Sequence, residues 1–258
     1  MRPALRLSVI LSLLGLPPSL GAQTLRVAAA ADLQYAMADL RGQFERQSGI
    51  KVLASYGSSG NFRSQIQNGA PFDLFFSADA EYAKQLVTSG FADAGTLIVY
   101  AHGHLVLWAP AEEKLGLAQK GFEALKESRI QKIAIANPEL APYGRAAVVA
   151  LKRAGLYDAL KSKLIFGENI SQAAQFAQSG SAQVGILAQS LTFADSMKNG
   201  EKWEVPADLY PVMEQAAVVV RSSPNKRAAQ AFLDFVNSRE GQQILAKYGL
   251  SSGDSTKR

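Results

Sequence analysis

Short apolar runs alternate along the chain with stretches whose apolar residues recur at intervals of three and four. The first run, 25–31, ends in small residues and is followed by such a helical pattern that reaches Phe44. Two more strand–helix units follow, with strands predicted at 51–55 and 72–77. Three successive units of this kind predict a parallel, doubly wound sheet of the α/β class.

The same alternation returns in the second half of the chain, after an apolar strand pair at 96–101 and 105–108. We therefore predict two similar α/β lobes, residues 23–104 plus 214–258 and residues 105–213, with the terminal helices returning to the first lobe. The two chain crossings would form a two-stranded hinge. A single continuous sheet satisfies the same pattern and stays open as an alternative.

The N-terminus has the three parts of a secretory signal peptide. Arg2 and Arg6 give a positive start, the run 7–16 is apolar, and 17–22 supplies a break and small residues for cleavage. We predict that residues 1–22 are removed and that the protein is periplasmic. The chain has no cysteine, so a lipid anchor on an N-terminal cysteine is excluded and disulfides contribute nothing.

Composition narrows the possible partners. The 258 residues are 48% hydrophobic and 19% charged, which suits a globular protein. The net charge of +5 is spread along the chain without a basic run or a basic stripe interleaved with aromatic residues. Nucleic acid is therefore not an expected partner. We also expect the protein to be a monomer.

The segment 56–61, Tyr-Gly-Ser-Ser-Gly-Asn, is the most informative stretch, because a strand ends there and a helix begins. Free N–H groups at a helix start, rotatable serine hydroxyls and close backbone approach at glycine suit an oxyanion without a cationic side chain. The alternative is that Ser59 is only the N-cap of the helix.

Two other corners have similar chemistry. Asp32 follows the first strand and is a well-placed N-cap for the first helix. Tyr143 follows two prolines and is predicted just before a helix start, where its hydroxyl can donate to an anion or simply pack on the surface. His102 and His104 lack a third ligand nearby, so a polar turn is favoured over a metal site.

Catalytic patterns are weak. Ser58 and Ser59 lack the Gly-x-Ser-x-Gly spacing of a nucleophile elbow, and neither phosphate-binding nor dinucleotide-binding glycine motifs occur. A binder without a cofactor is therefore favoured over an enzyme. A secreted serine hydrolase built on Ser58 or Ser59 with His102 or His104 remains the alternative from another class.

Several segments together resemble periplasmic molybdate-binding proteins. These are Ala28–Met37, Tyr56–Gly60, the most specific stretch Gln65–Asp79, Asn137–Gly144 and Lys247–Leu250. The resemblance covers the mature chain in order. It implies a hinged, two-lobed type II periplasmic binding protein that delivers molybdate, and usually tungstate, to an ABC-type permease in the inner membrane.

The resemblance also implies which residues bind the oxyanion. Ser59 matches a serine donor, Tyr143 a loop position that donates through its amide or hydroxyl, and Ile170 a backbone donor at a helix start. Asp32 stands where many members have a serine. Ala188 stands where many have a ligand tyrosine, which Tyr143 would replace.

Asp32 conflicts with this picture because a carboxylate repels a dianion. We predict that its side chain turns away to cap the helix, which leaves the amides of Ala31 and Asp32 as donors, and that Asp32→Ser preserves or strengthens molybdate binding. The rival ligands are phosphate, whose proton a carboxylate can accept, and sulfate, which pocket size would have to distinguish from molybdate.

Overall fold

The computed structural model describes residues 24–250. The predicted signal peptide, 1–22, and the polar tail, 251–258, lie outside the described residues. Within the described part of the chain, no helix combines the length and apolar character needed to cross a membrane.

Ten strands form two separate five-stranded sheets in the described residues. The strands are β1 Thr24–Ala30, β2 Lys51–Gly57, β3 Leu74–Ser77, β4 Ile98–Gly103, β5 Leu105–Ala109, β6 Ile133–Ala136, β7 Leu164–Gly167, β8 Val184–Ala188, β9 Glu201–Glu204 and β10 Met213–Val219. The single continuous sheet is thereby excluded.

The first sheet has the strand order β2-β1-β3-β10-β4. β1 pairs in parallel with both β2 and β3, which confirms the parallel arrangement predicted for the first three strand–helix units. β10 is antiparallel to its neighbours β3 and β4. The carboxyl ends of β1, β2 and β3 therefore lie along one edge, where ligands bind in sheets of this type.

The second sheet has the order β7-β6-β8-β5-β9. β6 is parallel to β7 and β8, whereas β5 is antiparallel to β8 and β9. The chain enters this sheet after His104, between β4 and β5, and returns to the first sheet between β9 and β10. The predicted residue ranges of the two lobes stay a prediction.

Nine α-helices flank the sheets in the described residues. They are α1 Gln34–Ser48, α2 Ser59–Gln67, α3 Ala80–Thr88, α4 Leu117–Lys120, α5 Pro142–Arg153, α6 Tyr157–Leu160, α7 Ile170–Gln178, α8 Lys226–Asn237 and α9 Arg239–Lys247. Short 3-10 turns include Ala31–Leu33, Gly121–Lys126 and Gln189–Phe193.

Aromatic packing attaches the C-terminal helices to the first sheet. The ring of Phe232 in α8 contacts Phe44 of α1 and Phe76 of β3, with centroids 5.0 and 5.9 Å apart. Leu245 of α9 is fully buried in the same cluster. These contacts join the two ends of the described chain in one apolar cluster, and a second cluster around Phe62 and Phe75 packs separately.

Three local predictions are wrong in detail. Asp32 does not cap α1, which begins at Gln34 with Leu33 at the N-cap position and no side-chain cap. Tyr143 lies inside the first turn of α5 rather than before it, because Pro142 occupies the first helical position. The sequence pattern at 122–128 also predicts a short helix, whereas the structure has mostly a 3-10 turn, Gly121–Lys126.

Candidate functional site

A small cavity lies between the two sheets, at the carboxyl ends of β1, β2 and β3. Its wall contains all five residues predicted to bind the oxyanion, namely Ala31, Asp32, Ser59, Tyr143 and Ile170. The other lining residues are small or apolar, and none of the cavity residues is a lysine, arginine or histidine. The cavity volume is about 10 Å³, which is about the space of one water molecule.

In the segment 56–61, one serine hydroxyl caps the helix α2 and the other lies in the cavity wall. Ser58 is the N-cap of α2, where its Oγ accepts a hydrogen bond from the Asn61 amide at 3.4 Å. Ser59 is therefore not the cap. Its fully buried Oγ accepts from the Ala78 amide at 3.0 Å. That bond holds the hydroxyl by a lone pair, so its proton stays available as a donor.

Ile170 contributes its backbone rather than its side chain. It is the first residue of α7, and the preceding Asn169 caps the helix by accepting from the Gln172 amide at 3.1 Å. The Ile170 amide belongs to the first turn, whose N–H groups have no partner within the helix. The helix dipole adds a partial positive charge at this end.

The second lobe reaches the cavity through α5 as well. Tyr143 is 1% exposed, and its hydroxyl donates to Asp32 Oδ2 at 3.0 Å. Burial, followed by the nearby Asp32 carboxylate, raises the pKa of Tyr143 well above its usual value. The hydroxyl proton is thus already used on Asp32, and the part of Tyr143 with free donor capacity is its amide in the first turn of α5.

The Asp32 side chain has a different role from the predicted cap. It is 1% exposed, and Oδ2 accepts from Gln215 Nε2 at 2.6 Å as well as from Tyr143. Its second oxygen, Oδ1, is buried without a hydrogen-bond partner. Burial raises the pKa of the Asp32 carboxyl to about 6, against the lowering effect of the hydrogen bonds from Gln215 and Tyr143.

Sequence reasoning missed Gln215, which connects the carboxylate to the chain crossing. Its Nε2 also lies 3.0 Å from the Tyr143 hydroxyl, and its Oε1 accepts from Tyr100 on β4 at 2.9 Å. Gln215 is fully buried in β10, in a strand that is otherwise mostly apolar. A lone buried amide in such a strand was the available signal, because it requires a polar partner.

The space above Gly103 on β4 is filled by this network. A Cβ at this position would lie 2.4 Å from the Tyr143 hydroxyl oxygen and 2.8 Å from Gln215 Nε2. Glycine is therefore required for close approach rather than for an unusual backbone angle.

Polar contacts across the cleft hold the lobes closed. The Gly60 amide donates to the Leu140 carbonyl at 3.0 Å. Ser171 Oγ of α7 contacts the Ala31 carbonyl at 3.0 Å, and Ser190 Oγ contacts the Asp32 carbonyl at 2.8 Å. These bonds surround the turn Ala31–Leu33 with groups from the second lobe.

An ion pair closes the rim. Arg145 of α5 donates to the Asp79 carboxylate and, at 2.7 Å, to the Tyr82 hydroxyl on α3. Its guanidinium also lies over the Tyr82 ring, 5.1 Å from the centroid, and Arg63 lies over the same ring at 5.5 Å. Arg145 thus connects the second lobe to α3.

The arrangement gives no support to a serine hydrolase. Both serine hydroxyls are bonded to backbone amides, and no histidine lines the cavity. His102 lies on β4, where its Nδ1 is buried without a partner. In the described residues, no group of three potential metal ligands lies together.

Ala188 provides no hydroxyl, and it ends β8 fully buried. Tyr143 lies in the cavity wall, and its hydroxyl donates to Asp32. Whether Tyr143 replaces the tyrosine absent at Ala188 stays a prediction.

Comparison with known proteins gives consistent relatives. Residues 25–251 match the family model of the bacterial extracellular solute-binding proteins. The molybdate-binding protein ModA of Azotobacter vinelandii is 40% identical over 229 residues, covering 88% of this chain and 90% of that protein. The ModA protein of Rhodobacter capsulatus is 38% identical over 222 residues, covering 86% of each.

The fold agrees with these similarities. The structure of the Azotobacter vinelandii periplasmic molybdate-binding protein superimposes with a TM-score of 0.83 at 34% identity, covering 88% of this chain and 99% of that one. The two-lobed α/β architecture predicted from the sequence is therefore confirmed. The chain belongs to the bacterial extracellular solute-binding protein family, among the molybdate-binding proteins.

Proposed function

We propose that the protein binds molybdate in the periplasm and delivers it to an ABC-type permease in the inner membrane. The observation that carries the proposal is the cavity itself, in which both lobes contribute uncharged hydrogen-bond donors. The relatives named as molybdate-binding proteins support the same ligand. Tungstate, which has the same charge and shape, belongs to the proposal as a second ligand.

The proposed donors are the Ser59 hydroxyl and the amides of Ala31, Asp32, Tyr143 and Ile170. Neutral donors suit a tetrahedral oxyanion because a site without water strengthens each hydrogen bond. Helix starts at α5 and α7 add their dipoles. The metal of the oxyanion would be held only through its oxygens, without direct protein ligands.

The volume of the cavity sets a condition on binding. A cavity that admits little more than one water has to widen slightly for a larger ion, and a small rotation of the lobes supplies this movement. Closure around the ion would then present the permease with the closed form, by a shift in population.

We further propose that the protein is a monomeric binder without catalytic activity and without a cofactor. The cavity wall contains Ser58 and Ser59 but no histidine that could act as their base, which supports a binding role for these serines. The second candidate function is binding of another tetrahedral oxyanion, sulfate or phosphate, because the donor set would also fit these ions.

The test is calorimetric titration of the mature protein, without residues 1–22, with molybdate, tungstate, sulfate and phosphate. We expect saturable binding of molybdate and tungstate with one ion per chain, and much weaker binding of the other two. Preference for sulfate or phosphate would replace the proposal by the second candidate, and failure to bind any of the four would overturn both.

A further inference from the structure

The environment of Asp32 is incomplete on one side. Oδ2 accepts two hydrogen bonds, from Tyr143 and Gln215, whereas Oδ1 is buried without a partner on a residue that lines the cavity. A buried oxygen without a partner is unfavourable and therefore calls for an explanation. Because Asp32 lines the cavity, an ion bound there is a potential partner for this oxygen.

An ionised carboxylate cannot serve as that partner. An oxyanion and a carboxylate are both only acceptors, and their negative charges repel at short distance in a site without water. No lysine or arginine forms an ion pair with Asp32 among the described residues, and the cavity wall has no cationic side chain. The negative charge thus has to be removed in another way.

The groups that face Asp32 from the surrounding elements are uncharged. The carboxylate is contacted by Tyr143 of α5 and Gln215 of β10, the main-chain carbonyl of Asp32 is contacted by Ser190 of the Gln189–Phe193 turn, and Tyr100 of β4 lies one step further, bonded to Gln215. Burial raises the pKa of Tyr100 and Tyr143 well above the usual value, so both stay neutral near pH 7. Asp32 is therefore the group here whose protonation can change.

We propose that Asp32 takes up one proton from solvent when the oxyanion binds, so that Oδ1 becomes a donor to the ion. The inference rests on the proposed function. In the complex, the O–H of the carboxyl would lie between Oδ1 and an oxygen of the ion, while Oδ2 keeps its bonds from Tyr143 and Gln215. The unpartnered oxygen is then satisfied and the repulsion is removed in the same step.

The consequence is that affinity depends on pH. The carboxyl of the ligand-free closed form has a pKa of about 6, and a bound dianion would raise the pKa further. Above the pKa of the free form, uptake of one proton makes the affinity fall about tenfold for each unit of pH. Below that pKa, the dependence levels off.

The experiment measures the number of protons taken up. Molybdate is titrated calorimetrically into the mature protein between about pH 6 and about pH 8.5, in buffers with different heats of ionisation. We expect uptake to rise from about half a proton per ion near pH 6 towards one at higher pH, with an affinity that falls about tenfold per unit at the alkaline end. Binding that takes up no proton would overturn the inference.

Two variants make the result specific to Asp32. In Asp32→Asn, the amide supplies a permanent donor of similar shape, so we expect molybdate binding without proton uptake and with little pH dependence. In the control Asp73→Asn, the changed residue is also a buried aspartate, but both of its oxygens are bonded and it lies away from the cavity. The control should keep the proton uptake of the unmodified protein.

Different results would reject molybdate binding and the protonation of Asp32. Absence of molybdate binding at every pH would reject the proposed function. Binding with the same proton uptake in Asp32→Asn as in the unmodified protein would leave the function intact and reject the role of Asp32. If Asp32→Asn does not fold, proton uptake by the unmodified protein and by Asp73→Asn still decides whether binding and protonation are coupled.

Discussion

The hydroxyl of Tyr143 donates a hydrogen bond of 3.0 Å to the carboxylate of Asp32, a residue 111 positions earlier in the chain and on the other side of the cleft. Gln215 donates to the same oxygen from a strand next to the chain crossing. One buried carboxylate thus connects the cavity wall, the second lobe and the region about which the lobes would move.

Replacing Ser59 with alanine removes the only side-chain hydroxyl proposed to contact the ion directly. A hydrogen bond to a charged group contributes about 1.5–3 kcal/mol, so we expect the affinity for molybdate to fall roughly tenfold to a hundredfold. Titration calorimetry measures the loss. Ser223→Ala is the control, since Ser223 is also buried but bonds to Asp73. It should lower stability and leave affinity unchanged; equal affinities in both variants would contradict the role of Ser59.

Tyr143→Phe tests the bond across the cleft while keeping the buried ring. Loss of this donor leaves the Asp32 carboxylate less stabilised, so the pKa of Asp32 should rise further. We expect the pH at which molybdate affinity begins to fall to move upward. Titrations over a series of pH values check this, and an unchanged midpoint would show that the hydroxyl does not act on the carboxyl.

Gly103→Ala should disturb the network from the side of β4. The added Cβ would lie too close to Tyr143 and Gln215, and forcing atoms into a packed site costs about 1–3 kcal/mol. We expect lower stability in urea denaturation and weaker molybdate binding. Gly95→Ala is the matched control, because a Cβ at Gly95 would meet nothing within 4 Å. Similar behaviour of the two variants would contradict the packing argument.

Arg145→Gln should weaken closure at the rim. The side chains of Arg145 and Asp79 are 39% and 32% exposed, so their ion pair is worth at most about 1 kcal/mol. We expect molybdate to dissociate up to about fivefold faster with a nearly unchanged association rate. Stopped-flow measurements give the dissociation rate of molybdate. Arg63→Gln is the control, because it removes a cation from the same Tyr82 ring but within the first lobe. Faster release in the control as well would assign the effect to Tyr82 rather than to closure.

The buried Asp32 also predicts how the stability of the ligand-free protein changes with pH. Its pKa is about 6 in the folded chain against 3.8 as the reference, so the folded state binds more protons between these values. Unfolding free energy should therefore fall as pH rises through this interval, by up to roughly 3 kcal/mol from this group. Urea denaturation at several pH values should show the fall in the unmodified protein and a smaller one in Asp32→Asn. Parallel curves for the two proteins would contradict it.

The sequence predicted the sheet because apolar periodicity is local, and it predicted the polar corners because parallel strands end at one edge. Asp32 was misjudged for a physical reason. An aspartate just before a helical pattern is expected to cap the N-terminus of that helix. Here its partners come from residues 111 and 183 positions away, so only the folded chain brings them within reach. Gln215 was missed for the same reason, since its amide has meaning only beside Asp32 and Tyr100.

The proposed donors at Ala31 and Ile170 are main-chain N–H groups, which every amino acid except proline carries. Alanine at Ile170 keeps this donor, so an alanine scan would report there only the lost packing of the buried side chain and would make the site look smaller than it is. Ile170→Pro compared with Ile170→Ala is the informative pair, since both lose the isoleucine side chain, the first helical position tolerates the proline ring, and only proline also removes the donor. Divergence of side chains at these two positions among related proteins would likewise say little about whether they bind the same ion.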